Sequence, residues 1–219
     1  MGTNEHGATN NSDLGISEFN SLYSRLWSNY GKPKTINVPL DKNDTPGMKN
    51  PDVEMTFELA NKKTLNINLL LIDKSQLQMP TPTFKARLQD RIQKSDLVSY
   101  NGHSGLGSNI RALVHLGRYE KGRYQVFYFN GCDTFSYVDS SLAEEHLAVN
   151  PGFGTYKFVD FISNSMPSPF GGFASSSIAL VNSIVGMKHT YKQILNQFSS
   201  YQRAVIMGEE DNLWPKPFG

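Results

Sequence analysis

The chain has 219 residues, of which 38% are apolar and 19% are charged, and its formal net charge is +1. This length and composition are typical of one globular domain with its own hydrophobic core. The near-zero charge, without any stripe of Lys and Arg, argues against nucleic acid or an anionic membrane as a partner. The single cysteine, Cys132, excludes an intramolecular disulfide framework and a multi-cysteine zinc site.

The two most distinctive compositional segments are the start of the chain and one apolar stretch. Residues 1–15 are polar, rich in Gly and Asn and without periodicity, so we predict a flexible tail before a single domain over 16–219. The apolar stretch Phe173–Met187 is too short and too rich in Ser to cross a membrane and is predicted to be a buried helix. No window is typical of a signal peptide. A secreted or periplasmic location is an expectation that the sequence leaves open.

Hydrophobic periodicity predicts a regular series of elements along the chain. A helix over Ser17–Tyr30, with Ser17 as its N-cap, precedes two strands at Val53–Leu59 and Thr64–Asp73 that form an N-terminal β-hairpin. The apolar run at the end of the second strand predicts burial on both faces. The later predicted elements are helices over 83–94, 108–116 (capped by Ser108), 140–149, 173–187 and 189–201, and strands over 96–100, 124–130, 156–163 and 203–208. Strands that alternate with helices predict an α/β domain of three layers, a mostly parallel sheet flanked by helices.

Two short blocks, LVSYNGHSG and VFYFNGCDT, place His103 and Cys132 directly after two predicted strands. The stretch between these residues is long enough for one helical crossover, so the two strands are predicted to be parallel neighbours. The carboxyl ends of such strands meet at one sheet edge, which is where α/β proteins bind their ligands. An imidazole beside a thiol accepts its proton and stabilises the thiolate, so the blocks predict a Cys–His nucleophilic pair.

The glycines around His103 and Cys132 favour a site where a substrate approaches the backbone closely. The N–H groups of Ser104, Gly105 and Cys132 are candidates to stabilise the oxyanion of an acyl-transfer intermediate. Simpler interpretations stay open at this point, because His103 also fits a surface loop and Cys132 also fits a buried apolar position. The block GHSGL is not a G-x-S-x-G nucleophile elbow, because Leu106 stands where that motif has glycine.

The same two blocks resemble the caspase-like cysteine peptidases, a family that includes caspases, legumain, gingipains, clostripain and separase. In that family, one apolar strand ends in His and glycine, and a second ends in a small residue and Cys. The short distance between His103 and Cys132 is more similar to the bacterial gingipain and clostripain type than to caspases. The order of strands and helices from about residue 64 to 212 is also similar to the caspase-like fold. The resemblance therefore covers most of the chain.

The resemblance implies a thiol protease in which Cys132 is the nucleophile and His103 the general base and acid. The oxyanion donors it implies are the N–H after the His and the N–H of the Cys, which here belong to Ser104 and Cys132. The family usually has glycine directly after the His, whereas this chain has Ser104 followed by Gly105. The implied partner is a protein or peptide substrate, with no cofactor and no metal. The oligomeric state stays open.

Four acidic residues are candidates for supporting roles. Asp73 ends a predicted strand at the same sheet edge and is a candidate to orient the imidazole of His103, although a strand-end Asp also commonly caps a turn. In the caspase-like family an acid in the specificity pocket selects a substrate Arg or Lys. The candidates for that pocket are Asp133, Glu209 and Asp211. Cleavage after a basic residue is thus an expectation, and a solvated acidic loop is the alternative.

Three functions follow from the sequence. The first is a cysteine endopeptidase with a Cys132–His103 dyad. The second is a caspase-like domain without activity that acts as a binding or scaffold module, an alternative that Ser104 favours. The third is an acyl transferase with the same dyad, which shares the acyl-enzyme step with a peptidase.

Overall fold

The computed structural model describes residues 2–4, 7–60, 62–73 and 75–209. The helices of this part of the chain are α1 (Leu14–Tyr30), α2 (Ser75–Gln78), α3 (Pro82–Lys94), α4 (Ser108–Leu116), α5 (Ser141–Val149), α6 (Phe173–Gly186) and α7 (Tyr191–Leu195). The strands are β1 (Gly2–Asn4), β2 (Thr35–Ile36), β3 (Asp52–Glu58), β4 (Thr64–Asp73), β5 (Leu97–Asn101), β6 (Gln125–Asn130), β7 (Val159–Asn164) and β8 (Ala204–Met207).

The strands lie side by side in the order β2-β3-β4-β1-β5-β6-β7-β8. The five strands from β4 to β7 run parallel, whereas β2, β3 and β4 pair antiparallel at one end and β8 pairs antiparallel with β7 at the other. The predicted hairpin is confirmed, since Glu58 of β3 pairs with Thr64 of β4. The chain is therefore an α/β protein with a mixed, mostly parallel sheet, as predicted.

Helices cover both faces of the sheet, because alternate side chains of each strand point to opposite faces. On one face, Leu70 and Ile72 of β4 and Phe127 and Phe129 of β6 pack in a cluster with α2, α3, α4 and α5. On the other face, Leu69 and Leu71 pack with α1 and α6, and β6 and β7 pack with α6 and α7. The apolar run of β4 is buried on both faces, which confirms the prediction for this strand.

The predicted tail over 1–15 is wrong for its first part, because Gly2–Asn4 forms β1 between β4 and β5. Gly2 pairs with both Leu71 and Asn101, and Asn4 pairs with Asp73. Three residues without apolar alternation form a strand here because unpaired backbone groups on both sides accept them. Strand propensity depends on such surroundings more than on the residues themselves.

Helix ends are the other differences from the prediction. The first helix begins at Leu14 rather than at Ser17, because the carboxylate of Asp13 accepts a hydrogen bond from the N–H of Ile16 at 2.8 Å and acts as the N-cap. Residue 107, a glycine, is the N-cap of α4, and Ser108 is the first helical residue. The helix predicted over 189–201 is only α7, because the N–H groups of Gln197 and Phe198 bond to carbonyls three residues back, those of Ile194 and Leu195, instead of four.

Among the helices that the structure describes, none combines the length and apolarity that a transmembrane span requires.

Candidate active site

His103 and Cys132 follow neighbouring parallel strands, as the sequence predicts. Asn101, the last residue of β5, pairs with Asn130, the last residue of β6. The ladder continues one residue further, because the N–H of Gly102 donates to the carbonyl of Asn130 at 3.0 Å. The loops that carry the His and the Cys therefore leave the sheet at the same edge and side by side.

The two loops touch through their backbones at Gly131. A Cβ atom placed on Gly131 would lie 2.4 Å from the carbonyl oxygen of Gly102 and 3.4 Å from the amide nitrogen of Ser104. Since real Cβ atoms essentially never approach a carbonyl oxygen so closely, only glycine allows this contact. The residue before Cys132 is thus in contact with the residues on both sides of His103.

His103 is half-buried, and its ring packs against another aromatic side chain. The centroids of the His103 and Phe170 rings are 4.9 Å apart and their planes are inclined by 59°. Phe170 in turn packs on Phe173 at the start of α6, with centroids 4.7 Å apart. The imidazole is therefore held from one side by an aromatic pair.

Cys132 is also half-buried, and the same part of the chain approaches its thiol. The Sγ atom of Cys132 lies 3.8 Å from the carbonyl oxygen of Ser168. The next N–H, that of Asp133, donates to the carbonyl of Met166 at 3.3 Å. Residues 165–172, which we call the covering segment, thus contact both members of the predicted dyad.

The two predicted oxyanion donors make no hydrogen bond to the residues that the structure describes. The N–H groups of Ser104 and Cys132 have no acceptor within the described ranges of the chain. Ser104 is buried and has an ordinary negative φ, so the backbone does not require glycine after the His. Gly105 instead carries a φ of +60° and accepts a hydrogen bond from the hydroxyl of Ser108 on its carbonyl.

Backbone strain accompanies the two loops. Leu106, with φ +51°, and Asp133, with φ +50°, are two of the four described non-glycine residues in the left-handed region. Such conformations cost about 1–3 kcal/mol each and are frequent at functional sites. The Leu106 side chain is 81% exposed, so burial of that side chain does not compensate for its strain.

Asp73 lies at the same sheet edge, but β1 separates its strand from that of His103. Two strand spacings place the β4 and β5 backbones roughly 10 Å apart. The Asp73 carboxylate accepts hydrogen bonds from the N–H and the hydroxyl of Ser75 at 2.9 and 2.6 Å and from the N–H of Gly7 at 3.3 Å. These contacts cap the turn into α2, and a role in orienting His103 stays a prediction.

The acids proposed for a specificity pocket are not brought together. Asp133 is half-buried beside Cys132. Glu209 lies near Asp160 at the opposite sheet edge, because β8 runs antiparallel and ends beside the start of β7. Four residues of β7, roughly 13 Å, separate that end from Asn164. Asp211 lies outside the described residues.

The sequence interpretation missed a row of buried asparagines beneath the site. Asn101, Asn130 and Asn164 are the last residues of three adjacent parallel strands, and we call them the asparagine row. The Asn130 amide donates to the side-chain oxygen of Asn101 at 2.9 Å and accepts from Asn164 at 2.8 Å. The signal in the sequence was an Asn at the end of the strand predicted over 124–130, and directly after the strands predicted over 96–100 and 156–163.

Further polar side chains complete this buried layer. The hydroxyl of Ser168 and the amide of Gln202 donate to the side-chain oxygen of Asn130 at 3.2 and 2.9 Å. The Asn130 amide also donates to Ser176 on α6 at 3.2 Å. Such a network fixes the geometry of the strand ends, because unpaired buried amides are costly.

No family model, curated protein or solved structure matches this chain. The resemblance to the caspase-like peptidases therefore depends on the two sequence blocks that contain His103 and Cys132.

Proposed function

We propose that this protein is a cysteine endopeptidase of the caspase-like type, with Cys132 as nucleophile and His103 as general base and acid. The observation that supports it most is the contact of the two loops at Gly131, which joins the segments that carry these two residues. A cysteine with a purely structural role at a strand end does not require contact with a loop that carries a histidine. The N–H groups of Ser104 and Cys132, which have no acceptor in the described part of the chain, add the donors that acyl transfer requires.

The reaction proceeds through a thioester. His103 takes the thiol proton while Sγ of Cys132 bonds to the carbonyl carbon, and the carbonyl oxygen becomes an oxyanion bound by the N–H groups of Ser104 and Cys132. The C–N bond then breaks, and the leaving amine takes the proton from the imidazolium. Water attacks the thioester with His103 as base and releases the acid and the thiol.

The expected preference for a basic residue depends on Asp133. This acid follows Cys132 directly, whereas Glu209 lies at the far edge of the sheet. Asp133→Asn should therefore reduce hydrolysis of Arg and Lys peptides relative to an apolar peptide. If the ratio of the two hydrolysis rates is unchanged, the expected role of Asp133 in a preference for basic residues is contradicted. The proposed roles of Cys132 and His103 do not depend on that result.

An inactive, binding version of the same domain is the second candidate. The covering segment favours it, since Phe170 packs on the His103 ring and the Ser168 carbonyl lies 3.8 Å from Sγ of Cys132. A panel of fluorogenic peptides with Arg, Lys, Asp or Asn before the scissile bond separates the two candidates. Turnover of one peptide supports the peptidase, and silence across the panel supports the binding module. Analysis of the products distinguishes hydrolysis from acyl transfer.

Alkylation by iodoacetamide tests the dyad without knowledge of the substrate. Because Cys132 is the single cysteine, the whole signal comes from the site. We expect the Cys132 thiol to react with iodoacetamide at neutral pH at least about 10-fold faster than a free thiol. His103→Ala should remove most of that rate advantage. His115→Ala, at an exposed histidine on α4, is the matched control. A slow wild type, or equal rates in all three proteins, would contradict the proposal.

A further inference from the structure

A buried side-chain amide holds the peptide unit that ends in Cys132. Nδ2 of Asn164 donates to the carbonyl oxygen of Gly131 at 3.1 Å and to the side-chain oxygen of Asn130 at 2.8 Å. The Gly131 carbonyl can only accept, so the amide nitrogen of Asn164 must be the atom that faces it. Asn164 is fully buried, so loss of this hydrogen bond would be costly because water could not replace it.

This hydrogen bond determines where the N–H of Cys132 points. In a planar trans peptide the C=O and the following N–H point in opposite directions. The carbonyl of Gly131 is turned into the buried asparagine row, so the N–H of Cys132 is turned away from it. That N–H has no acceptor in the part of the chain that the structure describes.

The peptide unit between His103 and Ser104 is held in the same way. The carbonyl of His103 accepts hydrogen bonds from the hydroxyl of Tyr100 at 2.6 Å and from Nδ2 of Asn109 at 2.9 Å. Both donors are buried. The N–H of Ser104, on the opposite side of this peptide, is likewise without an acceptor among the described residues.

We infer that Asn164 and Asn109 are positioning residues that aim the two oxyanion donors of the site. Each donates to the carbonyl of a peptide unit whose N–H has no acceptor among the residues described, and the two peptide units meet at Gly131. The inference rests on the proposed function, since acyl transfer is the reaction there that makes use of two preorganised N–H groups. It adds that the donors are preorganised from beneath the site by side chains that contact no substrate.

The test compares two reactions of the same thiol. Acylation of Cys132 by p-nitrophenyl acetate passes through an oxyanion, whereas alkylation by iodoacetamide does not. We expect Asn164→Leu and Asn164→Ser to slow acylation by about 10- to 100-fold and to change alkylation by less than about twofold. Asn109→Ser should behave in the same way. If acylation and alkylation fall together in these variants, the asparagines place the thiol and not the donors, and the inference is overturned.

Asn150→Leu is the matched control. Asn150 is a buried asparagine whose Nδ2 also donates to a backbone carbonyl, that of His146 at 2.9 Å, and it lies next to α5 rather than at the site. Its loss should leave the ratio of acylation to alkylation unchanged. A changed ratio in this variant would mean that general loosening of the fold explains the effect.

A spectroscopic measurement separates this inference from the proposed function. A protein labelled with ¹³C-carbonyl glycine and ¹⁵N-cysteine gives one Gly–Cys correlation, because Cys132 is the single cysteine. We expect the Gly131 carbonyl signal to move in both Asn164 variants and to stay in place in Asn150→Leu. A wild type that acylates no faster than a free thiol would defeat the proposed function, and this signal then still decides whether Asn164 holds the peptide. A signal that does not move overturns the inference.

Discussion

The ring of Phe170 lies against the ring of His103, with 4.9 Å between their centroids, and so joins the covering segment to the predicted general base. We expect Phe170→Ala to free the imidazole to rotate and to lower the alkylation rate of Cys132 by about threefold to tenfold, because misplaced catalytic groups lose rate steeply. Phe170→Leu should lie between Ala and wild type.

Phe153→Ala is the control for this change, because Phe153 is exposed and packs on Phe158 instead. A faster reaction in Phe170→Ala would reverse the interpretation. The covering segment would then be an obstacle to the thiol, and the binding module would gain support.

The contact at Gly131 predicts a large cost for one added methyl group. Gly131→Ala places a Cβ 2.4 Å from the Gly102 carbonyl, so the two loops must separate. We expect a loss of about 2–3 kcal/mol in the free energy of unfolding, measured with urea, together with slower alkylation of Cys132. Gly171→Ala is the matched control, since its Cβ would meet no atom within 4 Å. A loss below about 0.5 kcal/mol would show that the loops have room to adjust.

The buried side chain of His146 is expected to make the free energy of unfolding fall at acidic pH. Its side chain is 1% exposed, packs on Tyr119, and has both ring nitrogens without a hydrogen-bond partner among the described residues. Burial lowers the pKa of His146 to about 4 from its ordinary value of 6.5. Between pH 6.5 and 4, His146 is therefore protonated in the unfolded chain but neutral in the folded protein. The free energy of unfolding consequently falls as the pH drops through this interval.

The contribution of His146 amounts to roughly 3 kcal/mol across that interval. His146→Leu should flatten this part of the curve, measured by urea unfolding at several pH values. His115→Gln, at an exposed histidine, should not. An equally steep acid limb in His146→Leu would assign the slope to other groups.

Asp160, at the far sheet edge, is expected to change the free energy of unfolding with pH in the opposite direction to His146. Its buried carboxylate accepts hydrogen bonds from the hydroxyls of Tyr124 and Tyr191, yet burial raises its pKa to about 6 from 3.8. The protonated form is the one that folding favours. The stabilisation is therefore complete below pH 4 and is lost as the pH rises through 6.

Asp160→Asn should accordingly be less harmful at pH 8 than at pH 4.5, because the amide keeps an acceptor without a charge. The measurement is the free energy of unfolding at both values. The exposed Asp90→Asn provides the baseline. The same loss for Asp160→Asn at both pH values would refute the shifted pKa.

Some parts of this fold could be predicted from the sequence because they depend on local patterns. The strands before His103 and Cys132 are apolar runs that end in Asn and Gly, and their pairing follows from the crossover between them. The direction of β8 has no local signal, and that direction alone moved Glu209 to the far edge. The strand β1 exists only because two other strands leave a gap for it.

The interior of the site was harder to predict for a related reason. Asn109 and Asn164 are common polar residues, and their role depends on which backbone carbonyls the fold places within reach. A sequence shows where chain reversals occur but not which carbonyls turn inward. The candidate pair His103 and Cys132 could be predicted because imidazole and thiol side chains have recognisable chemistry at any position in a sequence.

The most direct test of the central claim is the mass of the Cys132 peptide after brief exposure to p-nitrophenyl acetate and an acid quench. The account predicts an acetyl thioester on Cys132 that forms at least about 10-fold faster than on a free thiol and that His103→Ala largely abolishes. A wild-type Cys132 that acylates no faster than a free thiol, with or without His103, would contradict it.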